Sequence, residues 1–131
     1  MPLYGHELDE ATDPISAGLS FAVKVDKGES DSQEGRFIGQ DAIQRIVADG
    51  PRKQLVGLNF EGRRSPRQGM NVKVDGETVG VVTSGCPSPT LEHPIAMAYV
   101  PPAVAEPGTT VEVELGEGTP ATVVKLPFYK R

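Results

Sequence analysis

From Arg52 onward the chain repeats one pattern: a short valine-rich run, then a break made of glycine, proline or aspartate. Gln54-Leu55-Val56-Gly57-Leu58-Asn59-Phe60 is the first such run. Asn71 to Gly80 carries the Asp75-Gly76 turn signal, and Thr109 to Leu115 alternates valines with polar residues. Ala121-Thr122-Val123-Val124-Lys125-Leu126 closes the series. The 15 glycines and 12 prolines of the 131 residues punctuate these runs rather than forming a low-complexity tract. About six strands over some eighty residues are enough to close a small barrel. The expected fold is therefore mainly β, a small closed Greek-key barrel of about six strands behind a short α/β N-terminal segment.

The first fifty residues read differently. Asp13-Pro14 suits a capped turn, because an Asp carboxylate accepts backbone amides and proline tolerates a first helical position. Leu19, Phe21, Val23 and Val25 alternate with Ser20, Ala22 and Lys24, which predicts a strand with one buried face. Asp26 to Gly35 is polar and reads as an exposed loop. Ala42, Ile43, Ile46 and Val47 fall on one helical face over Gln40 to Ala48, and Asp49-Gly50-Pro51 stops that helix. The change of texture near Pro51 divides the chain into residues 1–51 and 52–131.

Within the barrel region, Val79 to Leu91 runs from β-branched residues into Ser84-Gly85-Cys86-Pro87-Ser88-Pro89 before the apolar Ile95 to Val100. Gly85 is expected to supply unusual backbone angles, and the two prolines to end any central strand. The stretch predicts a shaped corner between two strands.

Composition excludes several classes. A net charge of −5 argues against nonspecific binding to nucleic acid or to an anionic membrane. One cysteine, Cys86, permits no internal disulfide and fits a reducing compartment. No run is long enough for a spanning helix and no signal-peptide pattern appears, so the expected location is the cytoplasm. Two histidines, His6 and His93, and one cysteine give no zinc-ligand spacing, and phosphate-loop motifs are absent. No catalytic set stands out. Cys86 reads as a thiol at a turn and both histidines as ordinary hydrogen-bonded residues. Arg63-Arg64-Ser65-Pro66-Arg67 concentrates positive charge, which suits carboxylate or phosphate partners as well as a solvated loop.

Several segments, in order, resemble the glycine cleavage system T-protein family of aminomethyltransferases. They are Leu3-Tyr4-Gly5-His6-Glu7-Leu8-Asp9, Asp13-Pro14-Ile15, Phe37 to Ile43, Leu55 to Leu58, Thr83 to Leu91 with Ile95 to Val100, and Lys125 to Tyr129. The resemblance implies the C-terminal region of such an enzyme, a remnant of the folate-binding subdomain followed by the C-terminal barrel. It implies that the parent enzyme moves a methylene group from an aminomethyl-lipoyl arm on H-protein to tetrahydrofolate and releases ammonia. Tetrahydrofolate is then the acceptor substrate and lipoylated H-protein the partner, with no metal, and this piece alone is expected to be inactive. By position in the family pattern, Lys27 is the basic candidate toward folate and Arg36 the second. Arg64 and Tyr129 are further candidate contacts, and no catalytic residue is assigned within these 131. Two other readings accompany this one: a non-catalytic folate- or partner-binding barrel, and the terminal barrel of a sarcosine or dimethylglycine dehydrogenase.

Overall fold

The structure, a computed structural model, describes residues 1–28 and 35–129. The part of the expected polar loop between 29 and 34 lies outside the described residues. Six antiparallel strands close into a barrel in the order β1-β4-β3-β2-β5-β6. They are β1 (Gln54–Phe60), β2 (Asn71–Val74), β3 (Glu77–Ser88), β4 (His93–Val100), β5 (Thr110–Val113) and β6 (Thr119–Val124). Strands β2, β3 and β4 follow one another, and β1 lies beside β4, which is the Greek-key arrangement.

The alternation of the sequence sets the barrel interior. Leu58 sits opposite Ala96 on one side and Val123 on the other, and Val72 opposite Val113. These residues join Val56, Phe60, Val82, Ala98, Val100, Val111 and Ala121 in one buried apolar cluster. The intervening side chains Leu55, Met97 and Tyr99 point outward from β1 and β4, as a period of two requires. They form a second cluster covered by Leu126 and Phe128 of the segment after β6. At the β2–β3 turn, Asp75 and Gly76 both adopt positive φ, 51° and 82°. A two-residue hairpin of this kind needs that conformation at both central positions.

Two expectations change at the long strand. β3 does not end before Pro87 but runs through it to Ser88, with Pro87 opposite Pro94 and Ser88 opposite His93. The corner lies beyond, at Pro89–Glu92. Facing prolines fit a position in the ladder where neither residue would donate a hydrogen bond to the other, so no donor is lost between them. Gly85, for its part, has no positive φ. A Cβ there would stand 2.3 Å from the carbonyl oxygen of Pro66. The residue is required because another stretch of backbone passes over it, not because of a turn. Gly85→Ala is expected to force that segment away, at roughly 1–3 kcal/mol as for other overpacked sites. An unchanged urea midpoint would contradict the close approach.

The expected strand from Leu19 to Val25 is absent. Ser20–Ala22 forms a short 3-10 turn and Phe21 is 85 % exposed. Alternation favours a strand only where a neighbour accepts its backbone groups. Here the Val25 carbonyl is taken instead by the side-chain amides of Gln40 (3.1 Å) and Gln44 (2.7 Å). The helix α1 spans Gln40–Asp49 and ends at Gly50, as expected. Its apolar stripe, however, is not buried: Ile43 and Ile46 are half-buried, and Ala42 and Val47 are exposed. The buried residue of this helix is Gln40. No helix among the described residues is long and apolar enough to cross a membrane.

Candidate functional site

The N-terminal segment is fastened to the barrel by polar groups. Glu7, 2 % exposed, is the centre of the joint. Its carboxylate accepts the Leu3 amide at 3.0 Å and the Ser84 hydroxyl of β3 at 2.6 Å. The Tyr99 hydroxyl of β4 donates to the Glu7 carbonyl at 2.8 Å. His6 Nδ1 lies 3.2 Å from the Thr83 carbonyl. Further along, the Leu55 amide donates to the Ser16 carbonyl at 3.0 Å, and Gln68 Nε2 to the Gly5 carbonyl at 2.9 Å. Lys53 donates to Thr12 Oγ1 at 3.2 Å, its ammonium 4.5 Å above the centre of the Tyr99 ring.

Electrostatics at this joint are set by burial against hydrogen bonding. Burial pushes the Glu7 carboxyl up, but bonds from Ser84, Thr83 and the Leu3 amide outweigh it and hold it below the usual range. Burial, then the charges of Glu7, Asp13 and Asp9, push the Tyr99 phenol up to about 12. Tyr99 therefore stays a neutral donor. Asp13 caps the 14–17 turn as expected, taking the Ser16 amide at 2.8 Å and the Ser16 hydroxyl at 2.7 Å.

Next to the joint, a cleft of about 480 Å³ opens between the N-terminal turn, the end of α1 and the start of β1. Asp13, Arg45, Ile46, Arg52 and Lys53 line it. A smaller concavity of about 270 Å³ beside the β5–β6 turn is lined by Lys73, Glu112, Glu114 and Glu117.

The four residues picked from sequence fall into three places. The backbone of Lys27 is tied to the start of α1 by Gln40. Its side-chain amide donates to the Lys27 carbonyl at 2.8 Å, and its Oε1 accepts the Phe37 amide at 3.2 Å. Arg36 pairs with Asp41 and donates to Gln44 Oε1 at 3.1 Å. Arg64 is exposed beside the β5–β6 turn, 3.9 Å from where a Cβ on Gly116 would be. Tyr129 is 59 % exposed on the segment after β6. These last two lie in the barrel region, after β1 and after β6 respectively. Cys86 is exposed on β3, and the described residues contain no group of three or more His, Cys, Asp or Glu able to hold a metal. The larger cleft sets Arg45, Arg52 and Lys53 against Asp13 and Asp49.

Sequence reasoning missed the joint itself. Glu7 and Ser84 both lie in segments that carry the family resemblance, but 77 positions separate them and no spacing rule links them. A carboxylate between apolar Leu3 and Leu8 was the available signal.

The glycine cleavage T-protein C-terminal barrel domain matches residues 53–130. The chain belongs to that family. Over its whole length it is also similar to full enzymes of the family. It is 52% identical to the aminomethyltransferase of Streptomyces coelicolor, covering 100% of this chain and 35% of that protein. It is 50% identical to the aminomethyltransferase of Symbiobacterium thermophilum, covering 99% of this chain and 33% of that protein. The crystal structure of glycine cleavage system aminomethyltransferase T from Bartonella henselae superposes with a TM-score of 0.87 at 34% identity. That match takes in 98% of this chain and 35% of the other. The chain thus spans about a third of the length of the relatives it matches, and the barrel is the T-protein C-terminal barrel.

Proposed function

We propose that these residues form the C-terminal region of a T-protein that transfers methylene from aminomethyl-lipoyl H-protein to tetrahydrofolate. Ammonia leaves, dihydrolipoyl H-protein remains, and the carbon becomes bonded to folate nitrogen. The observation that carries this reading is identity near one half along the entire chain to aminomethyltransferases, not along the barrel alone. The division at residue 51 into a remnant of the folate-binding part and the barrel belongs to the same proposal.

Lys27 and Arg36 suit the carboxylates and polar ring edge of a folate. Arg36 is engaged in an exposed pair with Asp41, and such a pair contributes little, so a ligand carboxylate displaces it at small cost. Lys27 carries its charge without the planar fork of a guanidinium, and supplies attraction rather than a fixed orientation. The role of these residues is to hold the acceptor so that its nitrogen meets the incoming carbon, a contribution made by positioning. Arg64 and Tyr129, placed elsewhere, are secondary contacts in this reading.

The test supplies aminomethylated H-protein and tetrahydrofolate to a protein in which this chain is joined to the rest of the aminomethyltransferase length. Ammonia and methylene-tetrahydrofolate should appear in equal amounts, and the 131 residues alone should give none. Lys27→Met should raise KM for tetrahydrofolate about tenfold, about 1.4 kcal/mol of binding, with kcat little changed. Folate binding without turnover in the joined protein would favour the non-catalytic barrel instead, and full turnover by the 131 residues would overturn the reading.

A further inference from the structure

Leu55, Met97 and Tyr99 point outward from a closed barrel, yet each is at most 9 % exposed. An outward side chain on such a wall is buried only by what lies on it. Two separate segments do so here. Gly57 stands opposite Met97, which in turn stands opposite Ser84, and Leu55 stands opposite Tyr99. These positions make one outer face that runs from β1 across β4 to β3. From the β1 side, Leu126 and Phe128 pack against the cluster. Phe128 lies on the bare backbone of Gly57, where an added Cβ would stand 2.8 Å from its ring. From the β3 side comes the N-terminal segment. The Ser84 hydroxyl donates to the Glu7 carboxylate at 2.6 Å, and the Tyr99 hydroxyl to the Glu7 carbonyl at 2.8 Å.

The two segments meet over β4. Tyr99 serves both: its ring belongs to the cluster that Leu126 and Phe128 cover, and its hydroxyl holds Glu7. The same ring carries the Lys53 ammonium, which donates to Thr12 Oγ1. A second connection runs through Met97. Its carbonyl accepts the buried Thr83 hydroxyl at 3.0 Å, and the Thr83 carbonyl faces His6 Nδ1 at 3.2 Å. A hydrogen bond shielded from water is stronger than one that water can enter. Uncovering the Tyr99 ring therefore weakens the bonds that hold Glu7.

We propose that the segment after β6 is a strap: Leu126 and Phe128, by fixing Met97 and Tyr99, hold the N-terminal segment on the barrel. Such coupling is reciprocal, so loosening either segment loosens the other. The segment so held leads into Lys27 and Arg36, the folate contacts of the function proposed above. The strap is read without turnover, so its failure and the failure of that function are separate results.

The test is a double-mutant cycle followed by amide hydrogen exchange in the 131-residue chain. The reporters are His6, Glu7 and Leu8, whose amides donate to the Leu3 carbonyl at 3.2, 3.0 and 3.2 Å. The reference is β2, across the barrel from β1. Phe128→Ala should speed exchange at the reporters about tenfold relative to β2, as should Tyr99→Phe, which removes only the hydroxyl. Combined, they should again give about tenfold, since each breaks the same link, where independent effects would give about a hundredfold. Leu126→Ala, a milder loss of the same cover, should act in the same direction and supplies the comparison if Phe128→Ala loosens the whole barrel. Reporters that merely keep pace with β2 in both strap variants would overturn the inference. So would the multiplied effect in the double variant.

Discussion

Leu58→Ala should destabilise the barrel severely, by about 2–5 kcal/mol. Leu58 has no exposed surface and lies at the middle of β1, with Ala96 of β4 and Val123 of β6 directly opposite. Both facing residues are themselves buried and hydrogen-bonded into a sheet that closes on itself. The walls around the vacated volume therefore have little freedom to move inward, which places the cost toward the upper end of the range. Urea denaturation followed by far-ultraviolet circular dichroism reads the loss as a lower midpoint at unchanged slope. A midpoint shift worth less than about 1 kcal/mol would mean that the strands collapse around the gap and that the interior is less rigidly set than its registers imply.

Glu7→Ala should release the N-terminal segment while sparing the barrel. Removing the carboxylate leaves the Leu3 amide and the Ser84 hydroxyl without their acceptor, and an unsatisfied buried group costs about 1–3 kcal/mol. Faster amide exchange is expected from residue 3 to residue 9 but not in β1 or β4. Acid should have a related effect on the unaltered protein. The carboxyl is held below its ordinary value of 4.5 in the fold, so the stability it contributes is present above that pH. It is lost as the medium is acidified through the lowered value. Glu7→Gln retains an acceptor for the Leu3 amide and offers Ser84 a donor, so it should cost less than alanine and abolish that part of the acid dependence. A Glu7→Gln protein with the same acid profile as the original would show that other carboxylates dominate.

How much of this can be read from residues alone varies with the kind of interaction. The barrel is legible because alternation and punctuation are local. Val111 and Val113 face inward for the same reason that Glu112 faces out, and Asp75-Gly76 announces its own turn. α1 is legible in extent for a similar reason, from its spacing and the glycine that ends it. Its surroundings are not, because amphipathic spacing states that a face needs cover without stating what covers it. Leu19 to Val25 shows the limit from the other side: the alternation of a strand is present, but two glutamine side chains take the carbonyl that a neighbouring strand would have used. Gly85 stands out in the sequence as a turn residue but is needed for another cause, since a close approach by Pro66 leaves no mark in the local sequence. Among the candidate contacts, the Lys27 carbonyl is tied to Gln40 of α1, a link between separate segments that no local pattern announces. Arg64 follows β1 and lies beside Gly116 of the β5–β6 turn, 52 positions further on, which spacing along the chain does not announce.

The ring of six strands has a consequence for how anything can recognise this protein. A closed sheet has no row of unpaired amides along which a foreign strand could zip, the usual route to cross-chain polymers. Where β3 projects past its pairing with β2, Pro87 removes a donor and the Pro66 backbone lies against Gly85, so that stub is blunted as well. Strand addition along an open edge is thereby denied to partners, which leaves side chains and connecting loops as the surfaces of contact.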